Sequence, residues 1–308
     1  MRALFVGLGS IGTRHLNNLH TVACRQGISL EIDALRSSSR ELPAKTTNLL
    51  HAQYTSYTQV PDGYDIIFIT NPTHLHFEAL KALSAKGDTF FIEKPIFEMA
   101  GYSLEACGLN TKKAYVAAPM RWCRTYMQLK QHLQQVSCYS ARVICSSYLP
   151  DWRPNTDYRK VYSAIKAMGG GVTIDLIHEW DYIVDLFGMP QETYNFKGTY
   201  SHLEIDSDDL SVYIARYPAM LAEIHLDYFG RTYRRTIELF TKDGTIEADF
   251  GKGILTLADG TCIDCNEEVN QRYLREMEYF LQYAHGPQKE SVNSPALALQ
   301  TLKLTLGE

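Results

Sequence analysis

ALFVGLGSIG, residues 3–12, joins a short apolar strand to the pattern G-x-G-x-x-G, and the proline-free residues 11–25 that follow can form a helix. In such a loop the first glycine permits a tight turn, the second lets the backbone approach a pyrophosphate, and the third lets the helix pack closely on the strand. The free N–H groups and positive dipole end of the helix would then face the phosphates. We therefore predict a dinucleotide site whose loop contacts are Gly7, Gly9, Ser10, Ile11 and Gly12.

Strand and helix patterns alternate through the first third of the chain. Residues 65–70, DIIFIT, have the apolar core of a strand that is covered on both faces. Further strands are predicted at residues 3–6, 28–35, 89–92 and 114–118, with a helix beginning after residues 71–73. Strands separated by helices indicate a parallel sheet with helices on both faces, so we predict a Rossmann domain over residues 1–118.

Strands dominate the rest of the chain. They are predicted at residues 137–147, 193–203, 210–216, 221–229, 233–241 and 254–257, with helical segments at 125–133, 174–187 and 268–284. Runs of strands with segregated helices indicate an α+β domain with an open, mostly antiparallel sheet. The predicted fold class is therefore α/β, in which residues 119–308 form a second domain for substrate binding and oligomerisation.

The composition is that of a globular protein. The 308 residues are 45% hydrophobic and 21% charged with a net charge of −5, which gives no reason to expect a nucleic acid or an anionic membrane as partner. Because no apolar run is long enough to span a bilayer, a cytoplasmic location is expected. Cys262 and Cys265 form a C-x-x-C, but no second pair with metal spacing accompanies it, so no metal site is predicted.

The second strand bears on which dinucleotide is bound. Glu31 and Asp33 lie within it, and an acidic residue in this region suits the ribose hydroxyls of NAD. At its end, however, Arg36 and Ser37 begin the stretch RSSSR, which suits a 2′-phosphate better than a diol. We favour NADP over NAD, with Arg36 and Arg40 as solvated loop charges remaining the alternative.

Several motifs occur together in a characteristic order. GLGSIG is followed by ITNPTHLH at 69–76, EKP at 93–95, MRW at 120–122 and GGGVTIDLIHEWDYIVDLFG at 169–188. In this conjunction the sequence resembles the glucose–fructose oxidoreductase/inositol dehydrogenase (Gfo/Idh/MocA) family over essentially its whole length. The segment at 148–164, followed by the segment at 169–188, is similar to a subgroup that is linked to surface-sugar biosynthesis. The resemblance implies an NAD(P)-dependent oxidoreductase acting on sugars, cyclitols or their derivatives.

The resemblance also implies roles for the second half of the Rossmann domain. Lys94 would be the catalytic lysine at the carboxyl end of a parallel strand, followed by a proline bond that is commonly cis in the family. It would stabilise negative charge that develops on the reacting oxygen. His76 either lines the nicotinamide pocket or caps the helix after Pro72, and Glu93 either faces the cofactor or orients the lysine. The predicted cofactor contacts here are Asn71, Pro72, His76, Glu93 and Lys94.

The proton chemistry is assigned to the segment around residue 178. The usual family pattern is D-x-x-x-H, whereas this chain has Asp175, His178 and Glu179 in D-x-x-H-E. An imidazole titrates near neutrality, so His178 suits the proton transfer, and Glu179 is its rival. Asp175 precedes His178 by one helical turn and would orient it or bind a hydroxyl, so Asp175 joins Lys94 and His178 as a predicted catalytic residue.

Aromatic and arginine side chains in the family-like segments suit a sugar face and an anionic group, such as that of a nucleotide sugar or sugar acid. Solvated arginines on an amphipathic loop are the alternative. The predicted substrate contacts are Arg121, Trp152, Arg153, Tyr158, Asp175 and His178.

Two other functions stay open, namely reduction of a non-sugar carbonyl and dinucleotide sensing without catalysis. An exposed sheet face carrying Tyr213, Tyr228 and Phe229 is also predicted, and such a patch would mark a homodimer or homotetramer interface.

Overall fold

The computed structural model describes residues 1–37 and 41–308, apart from the side chain of Gln135, and divides them into two compact units. The first comprises Met1–Pro119 with Asn270–Gln300, and the second comprises Met120–Val269 with Thr301–Glu308. The predicted division, with one boundary between residues 118 and 119, has no place for Asn270–Gln300 in the first unit.

The regular elements follow the chain in this order. The strands are β1 Arg2–Val6, β2 Glu31–Leu35, β3 Ala52–Tyr54, β4 Tyr64–Ile69, β5 Gly87–Ile92, β6 Lys113–Val116, β7 Cys138–Tyr148, β8 Glu192–Gly198, β9 Leu210–Arg216, β10 Leu221–Asp227, β11 Phe229–Thr241, β12 Gly244–Asp249, β13 Ile254–Thr256 and β14 Cys262–Asp264. The helices are α1 Ser10–Arg25, α2 Ala44–Thr47, α3 His76–Leu83, α4 Arg124–His132, α5 Val172–Asp175, α6 His178–Phe187, α7 Asn270–His285 and α8 Pro295–Leu306. None of these helices is long and apolar enough to cross a membrane.

The first unit contains a six-stranded parallel sheet in the order β3-β2-β1-β4-β5-β6. Its central strands are buried runs of apolar residues, as a sheet covered on both faces requires. Phe5, Phe68 and Phe91 form part of its core, and α7 adds Phe280 to the same aromatic cluster. This confirms the predicted Rossmann architecture.

The register of this sheet brings four loops to one edge. Val6 is paired with both Leu35 and Ile69, and Ile69 is paired in turn with Ile92. The loops that follow β1, β2, β4 and β5 therefore begin side by side at the carboxyl edge, where open parallel sheets bind ligands.

The second unit contains an eight-stranded sheet in the order β14-β13-β12-β11-β7-β10-β9-β8, in which only β10 and β7 are parallel among the pairs described. This confirms the mostly antiparallel sheet. Helices α5 and α6 cover one face, where Trp180 packs edge-on against Tyr213 with ring centroids 5.2 Å apart. The opposite face carries exposed side chains such as Phe196 and Ile214.

The predicted and observed elements differ in several places. The predicted helix over 174–187 is interrupted between α5 and α6, and the elements β3, β12, β14 and α8 were not predicted. The predicted strand over 193–203 ends at Gly198, because the Asp209 carboxylate accepts the N–H groups of Tyr200 and Ser201 and turns the chain there.

The predicted exposed aromatic patch was also wrong in its members. Tyr213 and Tyr228 are 0% exposed and lie on the covered face, and Phe229 is half-buried.

Candidate active site

The glycine loop after β1 is shaped by close backbone contacts. A Cβ on residue 12 would lie 2.3 Å from the carbonyl oxygen of Gly7, and a Cβ on residue 7, which has φ +88°, would lie 2.8 Å from Cα of Asn71. Space around Gly9 is open, since a Cβ there would meet nothing within 4 Å. The loop therefore has the tight turn, the accessible backbone and the close helix packing that its glycines predict.

The start of α1 leaves backbone donors available. Gly9 is the N-cap residue, no described side chain caps the helix, and no acidic side chain stands in its first turn. Ser10 is exposed and Ile11 is half-buried beside it. An uncapped helix N-terminus of this kind favours an anionic group such as a phosphate.

The loop after β4 closes against the glycine loop. Thr70 Oγ1 donates to the Gly7 carbonyl oxygen at 2.7 Å. Asn71 Nδ2 donates to the Leu75 carbonyl oxygen, whereas Asn71 Oδ1 is buried and accepts no hydrogen bond from the residues described. Because a buried oxygen without a donor is unfavourable, this atom indicates a missing ligand donor. Pro72 is exposed beside it.

The end of β2 presents a cation rather than a carboxylate. The Arg36 backbone N–H donates to Tyr54, and its Nη1 donates to Gln53 Oε1 at 3.0 Å. Ser37 is exposed next to it, while Ser38, Ser39 and Arg40 lie outside the described residues. The position at which a ribose acid is expected is therefore occupied by Arg36.

Asp33, the acidic residue of β2, is bound by neighbouring side chains of the first unit instead. Its buried carboxylate accepts hydrogen bonds from Tyr64 at 2.6 Å and from Arg2 at 2.9 Å, and His51 contacts it at 3.2 Å. Burial raises the pKa of Asp33, but these hydrogen bonds outweigh burial and hold the pKa below its ordinary value. Glu31 pairs with Arg2 at 3.0 Å in the same cluster.

The end of β5 holds Lys94. Lys94 is half-buried, and the Lys94–Pro95 peptide bond is cis, as the resemblance implied. Glu93 Oε2 accepts the Lys94 backbone N–H at 3.1 Å, and Glu93 Oε1 lies 2.5 Å from His15 Nε2. Glu93 therefore binds the backbone of Lys94, while its role toward the lysine side chain or the cofactor stays a prediction.

His76 supports the same edge from α3. It is 1% exposed, with Nδ1 3.1 Å from the Ile96 carbonyl oxygen and Nε2 3.0 Å from the Asn71 carbonyl oxygen. Burial lowers the pKa of His76 below its ordinary value, more than its carbonyl contacts raise it. The predicted cofactor contact of His76 is corrected: both ring nitrogens face backbone, so the ring joins the loops that carry Asn71 and Ile96.

Together these features fit a dinucleotide. Among the residues described, the first unit offers a glycine loop, a helix N-terminus without a side-chain cap, an Asn71 oxygen without a donor and the cation of Arg36 after β2, all at one sheet edge. Lys94 follows a strand that ends at that edge.

In the second unit, Asp175 is the centre of an aromatic cluster. Its carboxylate accepts hydrogen bonds from the hydroxyls of Tyr162 and Tyr228, the latter at 2.6 Å. Trp152 packs edge-on against the Tyr228 ring at 5.2 Å and donates from Nε1 to Ser147 Oγ at 3.1 Å. Burial raises the pKa of the Tyr162 and Tyr228 hydroxyls, which keeps them protonated as donors to Asp175.

The helical spacing argument for Asp175 and His178 does not apply. Helix α5 ends at Asp175, Leu176 leaves the helical region with φ −97° and ψ 28°, and α6 begins at His178. His178 is half-buried. Glu179 is wholly buried in a bidentate pair with Arg235, in which Arg235 Nε donates to Glu179 Oε1 at 2.6 Å. We therefore exclude Glu179 as the proton acceptor.

The remaining predicted substrate contacts divide into two kinds. Arg121 is buried, and its guanidinium donates to Asp181 at 2.7 Å and to Asp185 at 3.0 Å, so its predicted contact with substrate is corrected to a structural ion pair. Arg153 is exposed, and the Tyr158 hydroxyl accepts the Glu204 N–H at 3.2 Å.

Known proteins match this chain at two levels. Residues 1–116 match the family model of the Gfo/Idh/MocA oxidoreductases, which describes an NAD-binding Rossmann fold. No curated protein matches the sequence.

Solved structures resemble the whole chain. An NAD binding oxidoreductase from Klebsiella pneumoniae aligns with a TM-score of 0.83 and 15% identity over 99% of this chain and 95% of that chain. A levoglucosan dehydrogenase in complex with NADH and levoglucosan aligns with a TM-score of 0.81 and 17% identity over 99% of this chain and 95% of that chain. A UDP-N-acetylglucosamine 3-dehydrogenase from Acidithiobacillus ferrooxidans aligns with a TM-score of 0.77 and 17% identity over 100% of this chain and 96% of that chain. At these identities the likeness concerns the fold.

Two contacts of the candidate site residues were not predicted from the sequence. His15 lies three residues beyond the last loop glycine on α1 and holds Glu93. Tyr228 was predicted to be exposed, whereas it is buried and its hydroxyl donates to Asp175. Their partners lie 78 and 53 residues away in the chain, so no local spacing could have indicated them.

Proposed function

We propose that this chain is an NAD(P)-dependent oxidoreductase that transfers a hydride between a nicotinamide and a secondary alcohol or ketone of a sugar or sugar derivative. The observation that carries the proposal lies within the first unit. Lys94 follows β5, and β5 ends at the same sheet edge as the glycine loop and the unpaired Asn71 oxygen. A lysine at this place supplies a cation beside a dinucleotide site.

Two side chains carry the proton chemistry in this proposal. The nicotinamide supplies or accepts the hydride when bound. Lys94 donates a hydrogen bond from its ammonium group to the reacting oxygen and stabilises negative charge there. His178 accepts the alcohol proton in oxidation and returns it in reduction. Asp175 acts through the two tyrosine hydroxyls that it binds.

We further propose NADP as the preferred cofactor. Arg36 and Ser37 stand at the end of β2, and Asp33 is occupied by Tyr64 and Arg2. A guanidinium and a hydroxyl suit the 2′-phosphate of NADP.

The substrate is proposed to be a nucleotide sugar or a sugar acid, as in surface-sugar biosynthesis. Trp152 and Tyr162 offer partly exposed rings beside Asp175, and Arg153 offers an exposed cation in the same segment. Aromatic faces suit the apolar side of a pyranose, and the arginine suits a carboxylate or phosphate. The solved dehydrogenases of similar fold act on levoglucosan and on UDP-N-acetylglucosamine, as their names state.

The open face of the second sheet is proposed to bind a second copy of this chain. The alternation on β9 is the reverse of the usual one. Leu210, Val212 and Ile214 share the open face, whereas the polar Ser211 is buried. Phe196 on the neighbouring strand is 72% exposed, and Arg142 lies between Glu223 and Glu238 on the same face. A face with apolar residues and charges of both signs is self-complementary, as a two-fold interface requires.

The test is turnover of a panel of nucleotide sugars, sugar acids and cyclitols with NADP and NAD. Lys94→Met should lower kcat by about 100-fold or more while leaving dinucleotide affinity within a few-fold, since Lys94 stabilises charge that develops during the reaction. Lys81→Met, at an exposed position on α3, is the matched control and should change neither.

Three outcomes would contradict the proposal. Turnover that survives Lys94→Met removes the lysine from the chemistry. Activity confined to non-sugar carbonyl compounds identifies a different reductase, and dinucleotide binding with no turnover on any compound identifies a sensor.

A further inference from the structure

A buried histidine on α1 is connected to the backbone of Lys94. His15 is 0% exposed, and its Nε2 lies 2.5 Å from Glu93 Oε1. The other oxygen of the same carboxylate, Oε2, accepts the Lys94 N–H at 3.1 Å. One carboxylate therefore joins the helix that begins at the dinucleotide loop to the residue that precedes the cis proline.

The arrangement determines the roles of the ring nitrogens. His15 Nδ1 is buried and has no partner among the residues described, so a proton there would be left without an acceptor. The proton therefore lies on Nε2 and is donated to Glu93. Burial raises the pKa of Glu93, but the His15 hydrogen bond and the neighbouring charges outweigh burial, so the carboxyl has a pKa below its ordinary value and accepts as a carboxylate.

Packing fixes the ring in this orientation. The His15 ring lies against Phe91 with centroids 4.7 Å apart and against Tyr273 with centroids 5.9 Å apart. Phe91 belongs to β5, two residues before Glu93, and Tyr273 belongs to α7. The donor is thus held by both the strand and the helix that flank it, and Glu93 has a fixed partner rather than a solvent-exposed one.

We propose that His15 is a positioning residue for Lys94, acting through Glu93. His15 fixes the Glu93 carboxylate, and Glu93 fixes the Lys94 backbone N–H, which adjoins the Cα that carries the lysine side chain. The catalytic consequence rests on the proposed function, whereas the backbone consequence does not. On the far side of Lys94, His76 Nδ1 lies 3.1 Å from the Ile96 carbonyl oxygen, so the segment from Glu93 to Ile96 has a side-chain contact at each end.

The experiment uses the dinucleotide-free full chain labelled with ¹⁵N-lysine, in which the Lys94 amide signal is assigned by its loss in Lys94→Arg. His15→Leu removes the donor at similar volume, and His15→Gln keeps an N–H donor. Val22→Ala weakens the same buried face of α1 without touching Glu93 and is the matched control.

His15→Leu should speed exchange of the Lys94 amide about 10-fold or more, because the hydrogen bond to Glu93 then opens locally. His15→Gln should restore most of the protection, and Val22→Ala should leave this amide unchanged at a temperature where the variant is folded. With an identified substrate, His15→Leu should lower kcat about 10- to 100-fold with little change in KM for the dinucleotide, as for a misplaced catalytic group.

Unchanged exchange of the Lys94 amide in His15→Leu overturns the proposal, as does equal acceleration in Val22→Ala. Failure of the proposed function is seen separately, because a wild-type chain without turnover would still show whether His15 protects this amide.

Discussion

The carboxylate of Glu179 is 0% exposed and is bound at both oxygens by Arg235, whose Nη2 donates to Oε2 at 3.1 Å. Burial lowers the pKa of Arg235, but the Glu179 charge raises that pKa by more than burial lowers it, so the guanidinium stays charged. Removing one member of such a pair leaves an uncompensated buried charge. Glu179 therefore belongs to the stability of the second unit rather than to proton transfer.

Arg235→Ala should lower the free energy of unfolding by about 3–5 kcal/mol, the range for breaking a buried ion pair. Arg216→Ala removes an exposed pair with Glu192 and should leave the free energy of unfolding nearly unchanged, because solvent screens the two charges. Urea unfolding of the two variants measures the difference. Glu179→Gln should likewise destabilise, and a loss of turnover at unchanged stability would instead restore Glu179 as a proton acceptor.

Two glycines of the same loop should respond differently to alanine. Gly12→Ala forces a Cβ to 2.3 Å from the Gly7 carbonyl oxygen, so we expect a lower melting temperature together with weaker dinucleotide binding. Gly9→Ala meets nothing within 4 Å and should fold normally, yet it should weaken dinucleotide binding because the ligand approaches that backbone. Calorimetry measures the binding, and Gly101→Ala, also in open space, is the control. Full dinucleotide affinity in Gly9→Ala would remove the loop from the cofactor site.

Arg36→Ala should raise KM for NADP about 10- to 100-fold, the range for loss of a charge-assisted hydrogen bond of about 1.5–3 kcal/mol. KM for NAD should change less than about 3-fold, because NAD lacks the 2′-phosphate. The ratio of kcat/KM for the two cofactors is the measurement. An equal effect on both would show that Arg36 does not contact that phosphate.

Ile214→Glu should convert a dimer or larger assembly into monomers, since it buries a charge at the centre of the proposed interface. Met99→Glu changes a similarly exposed apolar residue in the first unit and should leave the assembly intact. Light scattering gives the mass of each variant. A monomeric wild-type chain at working concentration would contradict the proposed interface.

Asp33 should contribute to the acid sensitivity of the first unit. Its folded pKa lies below the unfolded value of about 3.9, so its contribution is fully present above that value and is lost as the pH falls through the folded pKa. Asp33→Asn should therefore lower stability at pH 7 and flatten the decline of stability below about pH 4. Asp88→Asn, at an exposed position, should leave the curve unchanged when both are followed by urea unfolding across pH.

The sequence predicted the parts of the site that depend on local backbone requirements. The loop glycines and the EKP turn leave a pattern in adjacent residues, because each needs a particular backbone conformation or approach. Arg121 and Glu179 left no such pattern, since their ion-pair partners lie 60 and 56 residues away. An arginine or a carboxylate in a family-like segment therefore has the same appearance whether it binds substrate or a neighbouring helix.

The sheet face and the last helix show two further limits. Only the alternation of apolar and polar residues could assign Tyr213 to a face of the sheet. Apolar residues occupy both sets of alternating positions on β9, so the alternation did not show which set is buried. Helix α8 did have a recognisable start, because Ser294 precedes Pro295 and its hydroxyl accepts the Leu297 N–H at 3.3 Å.

Helix α7 has a consequence for the order in which the chain matures. It supplies Met277 and Phe280 to the core of the first unit, yet the whole of Met120–Val269 is synthesised before it. A nascent chain therefore carries the apolar surface of β1, β4 and β5 without its cover while the second sheet is made, a period in which such surfaces are prone to aggregate. The helix that covers the strands beside the glycine loop is thus made after the second sheet, although the loop itself is made before that sheet.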